Sequence, residues 1–527
     1  MEPIYARSSR RELLCLAALL LTGLIVYVMG VGHDLPYVVQ GDEVGFFGYP
    51  AARIAATGRL HPGWFGHPAS TVIYPLSGIY RLWHAAAHGG AWLGPAPRLL
   101  NAFEEQIGTA LLLGRLLSVA YATGALCCIY HLGRRLFDGP TALLAVALLI
   151  PIPHLVLFAQ MVRNDSATIF FGVLALWAIV RMLERPTAAR QALAGLACGL
   201  AISTKYYLGI LALILLVADG VLLWRAWAKR ADRRALLAGI AAGLGAVVLG
   251  FGLATPYFIL DFPTAWRDLR GELRPTHLGA DGLSPAQNLW WYLSVALPGV
   301  LGWARYLLAL AGAAWIAWRG SAAARLSLVF ALLFLLGISA SPLHWERWVF
   351  PLLPVLALGA ATAILGGARW LGRRGGLSPH TVGLLATLVG LAICAAPICQ
   401  TIELEMQQVR PSTMVQTRQW LDAHLPAGTI IAREEYSFPA NSSALQLVGG
   451  SVLAERPIKH YIEQGAAYIA VSSAIYERFY REPDRYVEQI AFYEGLGVQA
   501  ELVYEAAPDR WTGGPTVRVY RIQSEER

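Results

Sequence analysis

Long apolar runs separated by short polar stretches organise most of this chain. Runs at 13–30, 109–132, 141–158, 167–183, 192–202, 206–224, 235–255, 302–318, 326–340, 348–364 and 381–398 are read as eleven membrane passages. Most approach the ~20 residues that a helix needs to cross hydrocarbon. The run at 192–202 is short, and Ser203-Thr204-Lys205 divides it from the next. Residues 31–107 form a long loop in which 43–57 and 68–88 are apolar and aromatic but too interrupted to span. Such segments suit helices lying along the membrane surface. A second, polar loop is expected at 261–285. The stretch 286–318 is read as a surface helix followed by one passage, because two passages would invert everything downstream.

Beyond Glu403 the pattern becomes that of a soluble domain. Ser412 to His424 reads as a helix closed by Pro426 and Gly428. Strands are expected at 429–432, 445–453, 467–471, 498–504 and 516–522, with helices at 458–464 and 475–493. The expected fold is therefore a polytopic α-helical membrane domain, residues 1–402, followed by a small α/β domain, residues 403–527.

Composition agrees. Of the 527 residues, 56% are hydrophobic and only 14% are charged, where a soluble chain carries about a quarter charged. The net charge of +8 does not point to nucleic acid, because the basic residues sit in short loops between the apolar runs. Arg7, Arg10, Arg11, Arg134, Arg135, Arg181, Arg185, Arg190, Arg225, Lys229, Arg230, Arg233, Arg234, Arg319, Arg325, Arg369, Arg373 and Arg374 would lie on one side. Only Arg163, Lys205 and Arg347 would lie in the short loops of the other. The positive-inside rule then places the amino end in the cytoplasm and the carboxyl-terminal domain outside, as in a bacterial inner or plasma membrane. The six cysteines fall in or beside apolar runs with no disulfide or metal-ligand spacing.

Four polar groups lie on the outer side of this map. They are Asp42-Glu43, Arg163-Asn164-Asp165, Ser203-Thr204-Lys205 and His344-Trp345-Glu346-Arg347. Acids held against a membrane are costly and need a reason. Loops that alternate with passages can converge on one cavity, and these would bring a carboxylate base, a second acid and cations for phosphate. Each also has a plain reading: Asp42-Glu43 and Asp165 as helix caps, Lys205 as a snorkelling anchor, Arg347 as an interfacial anchor. Arg115 and Arg305, near the outer ends of passages, read as paired or snorkelling.

These groups, with His67-Pro68 and Tyr74, Gly114-Arg115-Leu116-Leu117-Ser118, Arg134-Arg135-Leu136-Phe137, Gly195 to Tyr206, Arg347 to Pro354 and Thr417 to Gly428, follow a familiar order. The chain resembles the GT-C glycosyltransferases of the family 39 type, which include protein O-mannosyltransferases and the aminoarabinose transferase that modifies lipid A. The resemblance covers nearly the whole chain. It implies a sugar donor carried on a polyprenyl phosphate, membrane lipid around the site, and a glycan, lipid or protein acceptor at the outer face. It further implies that Asp42 is the base, Asp165 a second acid, and Lys205 and Arg347 the holders of the lipid phosphate. Glu43 joins the catalytic candidates, and Arg163, Tyr74 and His344 the substrate-binding ones. In one respect the chain departs from its relatives. The aminoarabinose transferase has a metal-binding glutamate shortly before the Pro of the first loop, where this chain reads Gly66-His67-Pro68. That ligand is therefore not carried over. A divalent metal ion stays an expectation from the resemblance, with His67, or His277 in the second loop, as its candidate ligand, though neither stands in a recognisable ligand spacing.

An inverting sugar transferase is the leading function. A transporter or flippase of a lipid-linked sugar is the alternative, and a partner-binding assembly protein is the third. Transporters are marked by repeated halves and charges at mid-membrane. Here the halves do not repeat and the acids are read as lying in outer loops.

Overall fold

The computed structural model describes residues 9–89, 95–229, 233–441 and 444–522. Arg7 and Arg230 of the charge pattern lie outside the described residues. Among those described, eight helices are long and apolar enough to cross a membrane, and two bent helix pairs raise the number to ten. The first pair, Gly139–Leu149 and Pro153–Ala159, turns by 74° where Pro151 and Pro153 interrupt the hydrogen-bond ladder. The second, Pro285–Leu301 and Trp303–Arg319, turns by 117° at Gly302, whose φ of 77° favours glycine. The chain at 286–318 is therefore two helices joined at a sharp bend rather than one continuous helix. The remaining expected passage is Ala188–Thr204, a 17-residue helix of about 25 Å, a little short of the ~30 Å hydrocarbon core.

That short helix is held by its neighbour Arg234–Ala254 through backbone contact. A Cβ on Gly195 would lie 1.9 Å from the Gly243 carbonyl oxygen, and one on Gly199 would lie 2.5 Å from that of Val247. Small residues let helices in lipid approach this closely. The consequence reaches the site, because Lys205 is the first residue past the end of Ala188–Thr204.

The two ends of the bundle differ in charge. At one end, Arg134 pairs with Glu12 at 2.8 Å, Arg135 with Glu184 at 2.5 Å and Arg369 with Asp138 at 2.6 Å. These are residues of the basic set that the sequence assigns to one side. At the other end lie the first loop, Arg163, Lys205, Arg347 and the carboxyl-terminal domain. One acid breaks the expectation that acids stay in loops. Asp219 is buried midway along Ile210–Ala228 beside Gln191, with neither carboxylate oxygen hydrogen-bonded among the described residues.

The helices expected in the first loop appear as Tyr49–Thr57, continuing a π-helical turn at Glu43–Gly48, and as Ser70–His88. A further helix, Arg98–Glu105, was not expected; it buries Leu99, Ala102 and Phe103 against them. The second loop likewise opens on a helix, Phe262–Glu272, rather than on irregular chain. Both are too charged to stand out by hydropathy, and both are amphipathic.

The last long helix, Pro379–Gln408, runs through the expected boundary at 403. After it, Thr413–His424 is capped by the Ser412 hydroxyl, which accepts from the Val415 N–H. Five strands follow: β1 Ile430–Glu434, β2 Gln446–Gly450, β3 Tyr468–Ser472, β4 Ala500–Ala506 and β5 Val517–Ile522. Their order is β2-β1-β3-β5-β4, with β1 parallel to both neighbours and β5 antiparallel to both of its own. The single helix expected at 475–493 is two, Ser473–Tyr480 and Val487–Gln499, divided around Pro483. The sheet domain docks on the first loop: the Val38 N–H donates to Asn441 Oδ1 at 3.0 Å and the Ser412 N–H to Asp34 Oδ1 at 2.9 Å.

Candidate active site

Asp42 and Glu43 are neighbours in sequence with opposite surroundings. Asp42 opens the π-helical turn at Glu43–Gly48, and consecutive helical residues point about 100° apart. Glu43 turns inward and is wholly buried with Arg115. Arg115 Nε donates to Glu43 Oε1 at 3.0 Å and Nη2 to Oε2 at 2.8 Å, while Nη1 donates to the Val31 and His33 carbonyls at 3.0 and 2.8 Å. Glu43 Oε1 also accepts from the Val162 N–H at 2.8 Å. This knot joins the exit of the first span, the first loop, Ile107–Leu136 and the turn before Arg163. The expectation that Glu43 shares in catalysis is not supported by this enclosure. The geometry gives it a positioning role, since it fixes the residues next to Asp42 and Arg163.

On the open side of the knot, four charged groups form a chain. Arg163 Nη1 donates to Asp42 Oδ2 at 2.8 Å, Arg163 Nε to Asp165 Oδ2 at 3.3 Å and Lys205 Nζ to Asp165 Oδ1 at 3.2 Å. Exposure separates the two acids: the Asp42 side chain is 29% exposed and that of Asp165 only 1%. Asp42 can therefore meet a substrate, whereas Asp165 is committed to its two cations. The Asn164 amide donates to the Thr204 carbonyl at 3.0 Å, joining the start of one helix to the end of the next beside this chain. Burial pushes the Lys205 ammonium down to about 8, against the opposing pull of Asp165.

Arg347 faces the same cluster with no ion pair among the described residues. It interacts electrostatically with Arg163, Asp165 and Asp42, its guanidinium lies 4.8 Å from the Trp345 ring centre, and its buried Nε has no hydrogen bond among the described residues. Three cations thus surround two carboxylates, which leaves the site with an excess positive charge suited to a phosphate.

The other candidates fall elsewhere or take other roles. Tyr74 donates its hydroxyl to the Leu60 carbonyl at 2.8 Å beside Tyr257, with no contact to the cluster. His344 packs on Trp291 at 4.6 Å, and its N–H donates to the Ala280 carbonyl, so it belongs to the second loop. His67 lies near the cluster inside a box of Phe46, Phe47 and Trp64. Burial, followed by the charges of Lys205 and Arg163, holds its imidazole down to about 3. The Asp42 carboxylate acts on it in the opposite sense, and its buried Nδ1 has no hydrogen bond among the described residues. No group of three or more His, Cys, Asp or Glu side chains able to hold an ion occurs among the described residues.

Two tyrosines join the site without having been anticipated. Tyr207 stands two residues past Lys205, whose Nζ lies 5.0 Å from its ring centre, and its buried hydroxyl has no hydrogen-bond partner among the described residues. Its closeness to Lys205 in the chain was the available signal. Tyr436 comes from the sheet domain with a left-handed φ of 60° and lies within electrostatic reach of Asp42 and Arg163. No local sequence pattern marks it. Beside it a cavity of about 700 Å³ opens between the first loop and the sheet domain, lined among others by Gly41, Tyr49, Glu104, Arg433 and Tyr436.

The fold, a bundle of spans with charged loops gathered at one end and a sheet domain over them, is shared with solved membrane proteins. This chain covers 96% of its length on ArnT from Cupriavidus metallidurans, solved with undecaprenyl phosphate, and 97% of that chain, with a TM-score of 0.52 at 16% identity. It is also similar to the oligosaccharyltransferase AglB from Archaeoglobus fulgidus, solved with an inhibitory peptide and a dolichol-phosphate. There the TM-score is 0.52 at 13% identity, over 98% of this chain and 75% of that one. The family model for dolichyl-phosphate-mannose-protein mannosyltransferases matches residues 97–251, which carry Arg115, Arg163, Asp165 and Lys205. In sequence the chain is 29% identical over 320 residues to the undecaprenyl phosphate-alpha-4-amino-4-deoxy-L-arabinose arabinosyl transferase 1 of Pseudomonas fluorescens (strain Pf0-1). That alignment spans 57% of this chain and about half, 54%, of the relative.

Proposed function

We propose that this protein transfers a sugar from a polyprenyl-phosphate carrier to an acceptor hydroxyl at the outer face of the membrane. The observation that carries this reading is the chain Asp42–Arg163–Asp165–Lys205, with Arg347 beside it, at one end of the bundle. Relatives solved with polyprenyl phosphates support the choice of donor. Asp42, the more open acid, takes the proton of the acceptor hydroxyl as its oxygen attacks the anomeric carbon. The bond from that carbon to the phosphate oxygen breaks, and Lys205 and Arg347 hold the charge that develops on the leaving lipid phosphate. A single displacement of this kind inverts the anomeric centre. Asp165 acts through Lys205 and Arg163, which it orients. The acceptor, a glycan, lipid or protein hydroxyl, enters by the cavity under Tyr436.

The test of this reading is donor binding and turnover in Lys205→Ala. Donor binding is expected to fall by about 10-fold or more, the worth of one charge-assisted hydrogen bond. In the wild-type protein, kcat/KM for the donor should decline as pH rises through about 8, because the ammonium loses its charge there. A donor profile that is flat across that range, with unchanged affinity in Lys205→Ala, would remove Lys205 from the phosphate site.

The orientation of the chain belongs to the same proposal. A phosphatase fused at Arg373 should be inactive and one at Ser437 active, because the basic end of the bundle is cytoplasmic. An active fusion at Arg373 would reverse the map.

Transport of a lipid-linked sugar keeps one observation in its favour, the buried Asp219 midway along a span. Purified protein that turns over donor and acceptor would decide for transfer, since transport requires no bond to break.

A further inference from the structure

A second cleft, built from other helices, lies around Arg305. Its volume is about 650 Å³, and its walls include His154, Ser294, Pro298, Trp303 and Pro397. Arg305 is 3% exposed. Among the described residues its guanidinium makes one hydrogen bond, from Nη1 to the Leu148 carbonyl at 2.8 Å, and no carboxylate pairs with it. A guanidinium offers five N–H donors, and a buried charge left without a counter-charge is strongly unfavourable. Arg305 also belongs to the first turn of Trp303–Arg319, a 17-residue helix that starts at Gly302 without a side-chain cap. The free N–H groups of that turn add to the positive potential.

The surroundings indicate what supplies the missing anion. Trp303, which lines the cleft at the bend between the two helices, is 60% exposed, and exposed tryptophans favour the headgroup level of a bilayer. Pro298, Val300, Ala396 and Pro397 give the cleft apolar walls. A free inorganic anion would gain nothing from those walls, whereas a lipid would use both parts. We propose that this cleft binds an anionic membrane phospholipid, whose phosphate is held by Arg305 and the start of Trp303–Arg319 while its acyl chains follow the apolar wall. The site is separate from the phosphate contacts assigned to Lys205 and Arg347, and it would pin the bent pair Pro285–Leu301 and Trp303–Arg319 at the membrane surface.

The test uses the full chain, stripped of lipid in detergent and titrated with phosphatidylglycerol or phosphatidylcholine, with native mass spectrometry reading the bound lipid. Wild-type protein should retain phosphatidylglycerol in preference to phosphatidylcholine. Arg305→Gln should lower that retention by about 10-fold or more, and Arg305→Lys should keep most of it. Gly299→Asp supplies an independent variant, because Gly299 lines the cleft and a Cβ there meets open space. Its carboxylate should occupy Arg305 and exclude the lipid even if Arg305→Gln fails to fold. Equal retention of both lipids, unchanged retention in Gly299→Asp, or displacement by matched inorganic phosphate would overturn the proposal. So would loss of the lipid in Lys205→Ala rather than in the cleft variants, which would assign it to the donor site.

Discussion

Asp42→Asn is expected to lower single-turnover sugar transfer by about 10²–10⁴-fold, the usual cost of losing a general base, while expression, insertion and donor binding stay near wild type. Asn keeps the shape and can still accept from Arg163, whose Nη1 lies 2.8 Å from Asp42 Oδ2, so the loop should hold its place. What Asn cannot do is take the acceptor proton. Donor binding and single-turnover transfer measured on one preparation separate the two effects. Transfer at the wild-type rate would make Asp42 a partner of Arg163 and nothing more.

Arg115→Ala is expected to act on folding rather than on rate. The side chain is fully buried, pairs with Glu43 through two hydrogen bonds and satisfies the carbonyls of Val31 and His33. Removing it strands the Glu43 carboxylate, a loss of about 3–5 kcal/mol when one partner of a buried pair is taken away. That is a large part of the stability of most domains. Size-exclusion yield and the unfolding temperature in detergent should both drop, and Glu43→Ala should do the same. A Glu43→Gln protein that folds normally yet fails to transfer sugar would return Glu43 to the chemistry.

The contrast between these two neighbours shows where reading the sequence stops. Spans are legible because about 20 apolar residues in a row have few other uses, and the sheet strands because turn residues bracket them. The site was legible as four charged groups in alternating loops, of which Asp42, Arg163, Asp165, Lys205 and Arg347 converge. Which acid faces the cavity depends on a rotation of one residue, and adjacency in sequence carries no such information. Tyr74 and His344 sit in the right loops but face Leu60 and Trp291. Tyr436 reaches the site through tertiary docking of a distant domain. Arg98–Glu105 and Phe262–Glu272 were hidden because helices at an interface carry charges at loop-like density.

The glycine seam between Ala188–Thr204 and Arg234–Ala254 sets the wall of the site that can least vary. At Gly195 and Gly199 main chain lies against main chain with no room for a methyl group, so the end of the helix before Lys205 cannot shift without parting the pair. The opposite wall, where Arg433 and Tyr436 overhang the cavity, belongs to β1 and the loop that follows it in the separate sheet domain. Changes in that loop leave the anchored lysine in register. On the proposed function, a change of acceptor would fall to the sheet domain, while the contacts to the carrier lipid stay fixed.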